Sequence, residues 1–295
     1  MTIFAPEGLY PLSIPTAQEL RRAAGGEEIF QAMCIKCNEY HDLLVELGGV
    51  RGLIPRQEAA CAMGGTAVRE IAVLSRVGKP VAFRVLGFRA DGTVLLSRKA
   101  AQLAAREHLL STLRPGDILP AVVQSLASFG AFCDIGCGFV ALMSIDRCSV
   151  SRISHCNQRF RPGQKIYAAV LAVEGQRVEL THRELLGTWA QNAEQFRPGQ
   201  TVTGIVRGSQ SYGTFIELTP NLSGLAEPGE KLEPGQPVSV YIRSIQPDRQ
   251  KIKLTVLEKL PPMTDMGPIR YFCTSGHLSR WEYGPGSKNV TRFSP

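Results

Sequence analysis

The sequence predicts an all-β-dominated chain: three tandem five-stranded barrels joined by short helices, with an irregular C-terminal tail. Three observations carry this. First, one pattern recurs. Ser128-Phe129-Gly130-Ala131-Phe132-Cys133-Asp134-Ile135-Gly136 returns as Ser211-Tyr212-Gly213-Thr214-Phe215-Ile216-Glu217-Leu218. It also stands upstream, altered, as Glu39-Tyr40-His41-Asp42-Leu43-Leu44-Val45-Glu46-Leu47-Gly48. Second, the spacing is that of a small domain plus a connector: Tyr212 lies 83 residues after Phe129, and Phe129 lies 89 after Tyr40. Third, each unit holds five short β-prone runs split by glycine-marked turns, the pattern of a small closed barrel.

In chain order, residues 1–27 form an N-terminal extension. Its Thr16-Ala17-Gln18-Glu19 is a capping box that starts a short helix, stopped at Gly25-Gly26. The first unit, 28–98, has strands expected at 29–35, 40–47, 52–55, 81–86 and 93–97. Asp91-Gly92 is its last hairpin turn, and an Ala- and Gly-rich segment, 56–66, loops out of it. Residues 99–114 are a linker helix: good helix formers without Gly or Pro run from Lys99 to Leu113 and stop at Arg114-Pro115-Gly116.

The second unit, 115–183, is the clearest, with strands expected at 118–126, 129–135, 139–143, 165–173 and 177–181. Residues 184–197 are a second linker helix containing Trp189. The third unit, 198–258, has strands expected at 202–207, 212–218, 224–226, 238–244 and 251–256. The tail, 259–295, interleaves aromatic and basic residues. It is expected to fold back on the third barrel, since clustered aromatics rarely stay in water.

The 295 residues carry a formal charge of +7, a modest excess that fits a polyanion partner without requiring one. Cys34 and Cys37 form a C-x2-C pair, but no second pair stands at zinc-finger spacing, so no metal site is expected. Cys133, Cys137, Cys148 and Cys156 read as buried thiols of a reducing compartment. The N-terminus lacks a basic region followed by an apolar one, and no apolar run reaches the roughly 18 residues that span a bilayer. A cytoplasmic protein without membrane contact is expected, so the sequons at Asn221 and Asn289 are chance matches. His108, His155 and His182 stand without an acid or nucleophile at a recognisable spacing, and no phosphate loop appears. Neither an enzyme nor a cofactor is expected.

The run Gly116-Asp117-Ile118, then Phe129-Gly130-Ala131-Phe132-Cys133-Asp134-Ile135, Arg152-Ile153-Ser154-His155, Pro162-Gly163-Gln164 and Arg177-Val178-Glu179-Leu180-Thr181, resembles the RNA-binding OB-fold repeat of bacterial small-subunit ribosomal protein S-one. The second unit matches throughout, the third with a shortened loop, and the first in frame but without the Phe-Gly signature. The whole resembles a compact three-repeat version of that family. The resemblance implies a single-stranded RNA partner, mRNA in translation, contact with the small ribosomal subunit, and a monomer.

The resemblance also implies a site. In the family, two aromatics of the Phe-Gly-x-Phe run line the RNA face, here Phe129 and Phe132, then Tyr212 and Phe215. Strand alternation alone would set residues three apart on opposite faces, so one of each pair could be core unless the strand bulges at Gly130 or Gly213. Phe129 and Tyr212 are the stronger candidates. The family's histidine is replaced by Ser144 and Glu227, its carboxylate position is Glu174 and Gln246, and its arginine position is Arg177 and Lys251.

Arg147, Arg152, Arg159, Arg161 and Lys165 follow the third strand of the second unit against one acid, Asp146, and offer phosphate contacts. The third unit offers Arg207, Arg243, Arg249, Lys251 and Lys253 instead. In the first unit only Tyr40 stands at a binding position, with Leu43 in place of the second aromatic, so that unit reads as structural or protein-binding. A protein-interaction adaptor with little RNA binding of its own is the alternative function.

Overall fold

The computed structural model describes residues 4–61, 68–262 and 267–294. Among them, strands close into three five-stranded barrels. The first is built from β1 (Phe30–Cys37), β2 (Leu43–Leu47), β3 (Val50–Ile54), β4 (Pro80–Phe88) and β5 (Val94–Ser97). The second holds β6 (Ile118–Leu126), β7 (Gly130–Gly136), β8 (Phe139–Ser144), β9 (Lys165–Glu174) and β10 (Arg177–Thr181). The third holds β11 (Thr201–Gln210), β12 (Gly213–Thr219), β13 (Leu222–Ala226), β14 (Pro237–Gln246) and β15 (Lys251–Lys259).

Each barrel closes the same way. Its third and fifth strands pair in parallel, and the other pairings are antiparallel. The period-two pattern that predicted the strands sorts their faces. Phe139, Ala141 and Met143 of β8 point inward, and Val140, Leu142 and Ser144 stay half-exposed. Each interior is an apolar cluster, built around Phe83, Leu43 and Ile54, around Met143, Phe160 and Leu180, and around Ile216, Leu222 and Val240. Each large side chain taken fully out of water contributes about 1.5–3 kcal/mol. Cys133, Cys148 and Cys156 are wholly buried members of the second core.

The helices differ from expectation in instructive ways. The N-terminal helix, α1 (Ala17–Arg22), has the capping box of Thr16 and Glu19. A further helix, α2 (Glu70–Leu74), lies in the first unit where none was expected; it is short and buries only Val73. Residues 62–66 of the loop expected there lie outside the described residues. The first linker is α3 (Arg98–Thr112), capped by Ser97, whose hydroxyl accepts from Ala100 N–H. The second linker is not one helix. A 3-10 turn, Arg183–Leu186, ends at Gly187, whose φ of +82° breaks the helical path. Thr188 then caps α4 (Trp189–Ala193) with Gln191 as its capping-box partner.

The tail does more than expected. Tyr283 and Trp281 join the third barrel's core cluster, as the aromatic content suggested. Phe293, Tyr271 and Leu278 instead pack on Ala169, Leu171 and Ile118 of the second barrel. Its last part is not irregular: β16 (Arg280–Glu282) and β17 (Val290–Arg292) pair antiparallel.

Candidate nucleic-acid interface

In both later barrels the first two strands are joined by a two-residue hairpin, and its second residue is aromatic. Leu126 pairs with Ala131, and Ala127 exchanges backbone hydrogen bonds with Gly130, leaving Ser128 and Phe129 as the turn. Gln210 pairs with Gly213 around Ser211 and Tyr212. Phe129 and Tyr212 therefore lie outside the strand, where alternation does not bind them. They are 58% and 61% exposed. Phe132 and Phe215 follow on the outward face of β7 and β12, opposite Leu142 and Leu225. Both aromatics of each pair are at the surface, and they meet edge to face. The ring centroids are 5.9 Å apart in the second repeat and 6.1 Å in the third, with planes at 90° in both.

The glycine between them has a packing reason. A Cβ on Gly130 would sit 2.5 Å from Met143 O, and one on Gly213 would sit 2.4 Å from Ala226 O. The neighbouring strand passes too close for any side chain there.

Register corrects the reading of the first repeat. Leu43 pairs with Ile54, as Ala131 pairs with Met143 and Thr214 with Ala226. Leu43 is therefore a core residue. Leu44, opposite Leu53, takes the place of Phe132 and Phe215. The preceding turn is one residue longer, spanning Asn38 to Asp42, whose backbone groups bond at 3.0 Å. His41, at φ 62°, precedes the strand where Phe129 and Tyr212 stand, and Tyr40 projects from the turn at 70% exposure. Thr93 and Leu95 replace the Arg177 and Glu179, or Lys251 and Lys253, of the other repeats.

The cations divide. Ser144 ends β8 opposite Gly130, beside the Phe129 turn, whose carbonyl accepts from Ile145 N–H at 2.9 Å. Arg147 stands half-exposed 3.4 Å from Asp146, and Arg152 is exposed. Arg177 and Lys251 begin the fifth strands, opposite Glu174 and Gln246, and are exposed. Arg207 differs from expectation. It sits at the bulge of β11, and its guanidinium is bidentate on Glu217 at 2.7 and 3.1 Å. Arg159 differs too. It is buried and grips the same carboxylate at 2.8 and 2.9 Å. Burial opposes the charge of Glu217, but the two guanidiniums outweigh it and hold the carboxyl below its usual range.

Asp134 occupies in β7 the register position of Glu217 in β12. It accepts N–H bonds from Glu7, Gly136 and Gly138, and Glu7 in turn binds Arg98 at 2.7 and 2.8 Å. Burial and the Glu7 charge push Asp134 up to about 7. The sequence signal for both contacts was an acid inside an apolar strand, Cys-Asp-Ile and Ile-Glu-Leu.

The histidines have structural partners. His155 Nδ1 accepts from Asn157 N–H at 3.0 Å. Buried His182 lies 2.8 Å by Nδ1 from Cys148 O, which fixes that nitrogen as the donor, so Nε2 accepts from Tyr271 O–H at 3.0 Å. Burial lowers His182 to about 4. Among the described residues no helix is long and apolar enough to cross a membrane.

Residues 112–183 match the family model described as the S1 RNA binding domain. The chain is 30% identical over 186 residues to the small ribosomal subunit protein bS1 homolog of Bacillus subtilis, covering 60% of this chain and 46% of that protein. It is 31% identical over 115 residues to small ribosomal subunit protein bS1 of Neisseria meningitidis, covering 37% and 20%. These matches span less than half the length of those curated relatives. Among solved structures, a multidomain protein with nucleic acid binding domains from Streptococcus pneumoniae aligns over 81% of this chain and 76% of its own, at 15% identity and a TM-score of 0.28.

Proposed function

Since this chain belongs to the bS1-like family of S1-domain proteins, we propose that it binds single-stranded RNA, with mRNA in translation as its substrate. One observation carries the reading: two edge-to-face aromatic pairs in the same place on two barrels, Phe129 with half-buried Phe132 and Tyr212 with Phe215. A base stacked on such a ring is held without regard to its identity, by about 1–3 kcal/mol. Arg177 and Lys251, without ion pairs among the described residues, and Arg147 and Arg152 supply charge for the phosphates. Arg207 supports the face by bracing Glu217 and is not a phosphate ligand in this scheme.

The protein acts by binding and not by catalysis, as a monomer, in the cytoplasm and in contact with the small ribosomal subunit. The division at 28–98, 115–183 and 198–258 gives three repeats of unequal roles. The first carries Leu44 where the others carry Phe132 and Phe215, and Leu95 where they carry Glu179 and Lys253, which favours a protein contact for that repeat. Fluorescence anisotropy with labelled oligo(U) tests the main reading. The Phe129→Ala, Tyr212→Ala double variant should weaken binding at least tenfold, and unchanged affinity would remove the stacking face.

A further inference from the structure

The open face of the third repeat is not left open. A cleft of 660 Å³ lies between Tyr212 and Phe215 on one side and residues from two other parts of the chain. The second repeat contributes Arg152, and the tail contributes Tyr283. Gln250, from the turn before Lys251, lines it as well. The volume falls within the range of about 300–1,000 Å³ that suits a small organic ligand.

The walls are fixed by specific bonds. Val150 N–H donates to Asn221 Oδ1 at 3.0 Å, and the hydroxyls of Ser151 and Ser223 lie 2.8 Å apart, so the stretch leading to Arg152 is seated on the third barrel. Tyr283 O–H donates to the Asn221 carbonyl, and Tyr283 O accepts from Trp189 N–H at 2.8 Å. Gln250 Nε2 donates to Pro285 O at 2.9 Å, clipping the tail to the turn at φ 51°. Arg152 is exposed and has no ion pair among the described residues.

We infer that this cleft is a nucleotide subsite built from three segments. The base of one nucleotide of single-stranded RNA stacks on Tyr212 and meets Phe215 at right angles, its phosphate meets Arg152, and the tail closes the far wall. The inference rests on the RNA-binding reading above and extends it: the tail becomes part of the RNA surface, and the strand crosses from the second repeat to the third at this point. The chemistry selects a nucleotide because aromatic faces and an unpaired guanidinium meet in one cleft.

The test uses the full chain and an oligo(U) ligand carrying 4-thiouridine. Gly208 lines the cleft, an added Cβ there meets nothing within 4 Å, and its φ is not positive, so Gly208→Glu places a carboxylate in the cleft without strain. That variant should bind at least tenfold more weakly. Arg152→Ala, on an exposed site, should weaken binding about three- to tenfold and reduce the log-log salt slope by about 0.7. Photocrosslinking should mark the tail peptide containing Tyr283 in the wild type and lose that mark in Gly208→Glu. If the wild type binds and neither variant changes affinity, or if crosslinks avoid the tail, the subsite is wrong while the RNA-binding reading stands. If the wild type does not bind oligo(U), both fail.

Discussion

Arg159 Nη1 lies 2.8 Å from Glu217 Oε1, and the two residues belong to different repeats. Arg159 precedes β9 of the second barrel, whereas Glu217 is in the middle of β12 of the third, where Arg207 also holds it. Both partners are nearly inaccessible. Removing Arg159 leaves Glu217 paired with Arg207 alone, and the loss of this buried charge-assisted contact destabilises by about 1.5–3 kcal/mol. Arg159→Ala should therefore lower the urea midpoint and separate the unfolding of the second and third repeats into two transitions. A single transition at the wild-type midpoint would contradict the role given to the pair.

The glycine of each aromatic hairpin should tolerate no side chain. Gly130→Ala places a Cβ 2.5 Å from Met143 O, and Gly213→Ala one 2.4 Å from Ala226 O. Pushing the strands apart should lower stability by about 1–3 kcal/mol, read in denaturant melts. Oligo(U) affinity should fall with it, because the hairpin carries the stacking ring.

The first repeat offers a contrast. Its turn is one residue longer, so Tyr40 does not occupy the place of Phe129 or Tyr212. Tyr40→Ala should change oligo(U) affinity less than twofold in the anisotropy titration, while Phe129→Ala and Tyr212→Ala each weaken it about tenfold.

His182 gives the fold a dependence on pH. It is fully buried, neutral, and lowered to about 4 from a model-peptide 6.5. Below pH 6.5 the unfolded chain takes up a proton that the folded chain refuses until about 4. Stability from this group is thus complete above 6.5 and is lost as pH falls between those values, by roughly 3 kcal/mol at most. Asp134, raised by burial, shifts stability the opposite way over this window, so the readout is the difference between wild type and variant: His182→Gln should melt lower at pH 7.5 and approach the wild-type Tm at pH 6.0 and 5.0.

The barrels were legible in the sequence because alternation, glycine turns and repeat spacing are local signals. Alternation left open whether Phe129 and Phe132 share a face, and the two-residue hairpin that puts Phe129 outside the strand decides it. What stayed hidden depended on register and on contacts between distant segments. Leu43 and Leu44 are adjacent and chemically identical, and only the pairing with Ile54 and Leu53 decides which is core. Arg159 and Arg207 read as free cations because Glu217, their partner, is 58 residues from one and 10 from the other. The unbroken helix expected at 184–197 failed at Gly187, whose positive φ serves the bend between barrels. Tail packing on two barrels could not be divided between them from aromatic content alone.

Asn221 is wholly buried and bonds four ways: its Oδ1 accepts from Val150, its Nδ2 donates to Arg183 O and Gly187 O, and its carbonyl accepts from Tyr283. It ties the second repeat, the linker and the tail to one hairpin of the third. A ligand that touches both repeats therefore meets them at a set separation and not across a floppy tether. Once one end is held, the other faces its site at a high effective concentration, and two weak contacts multiply into avidity.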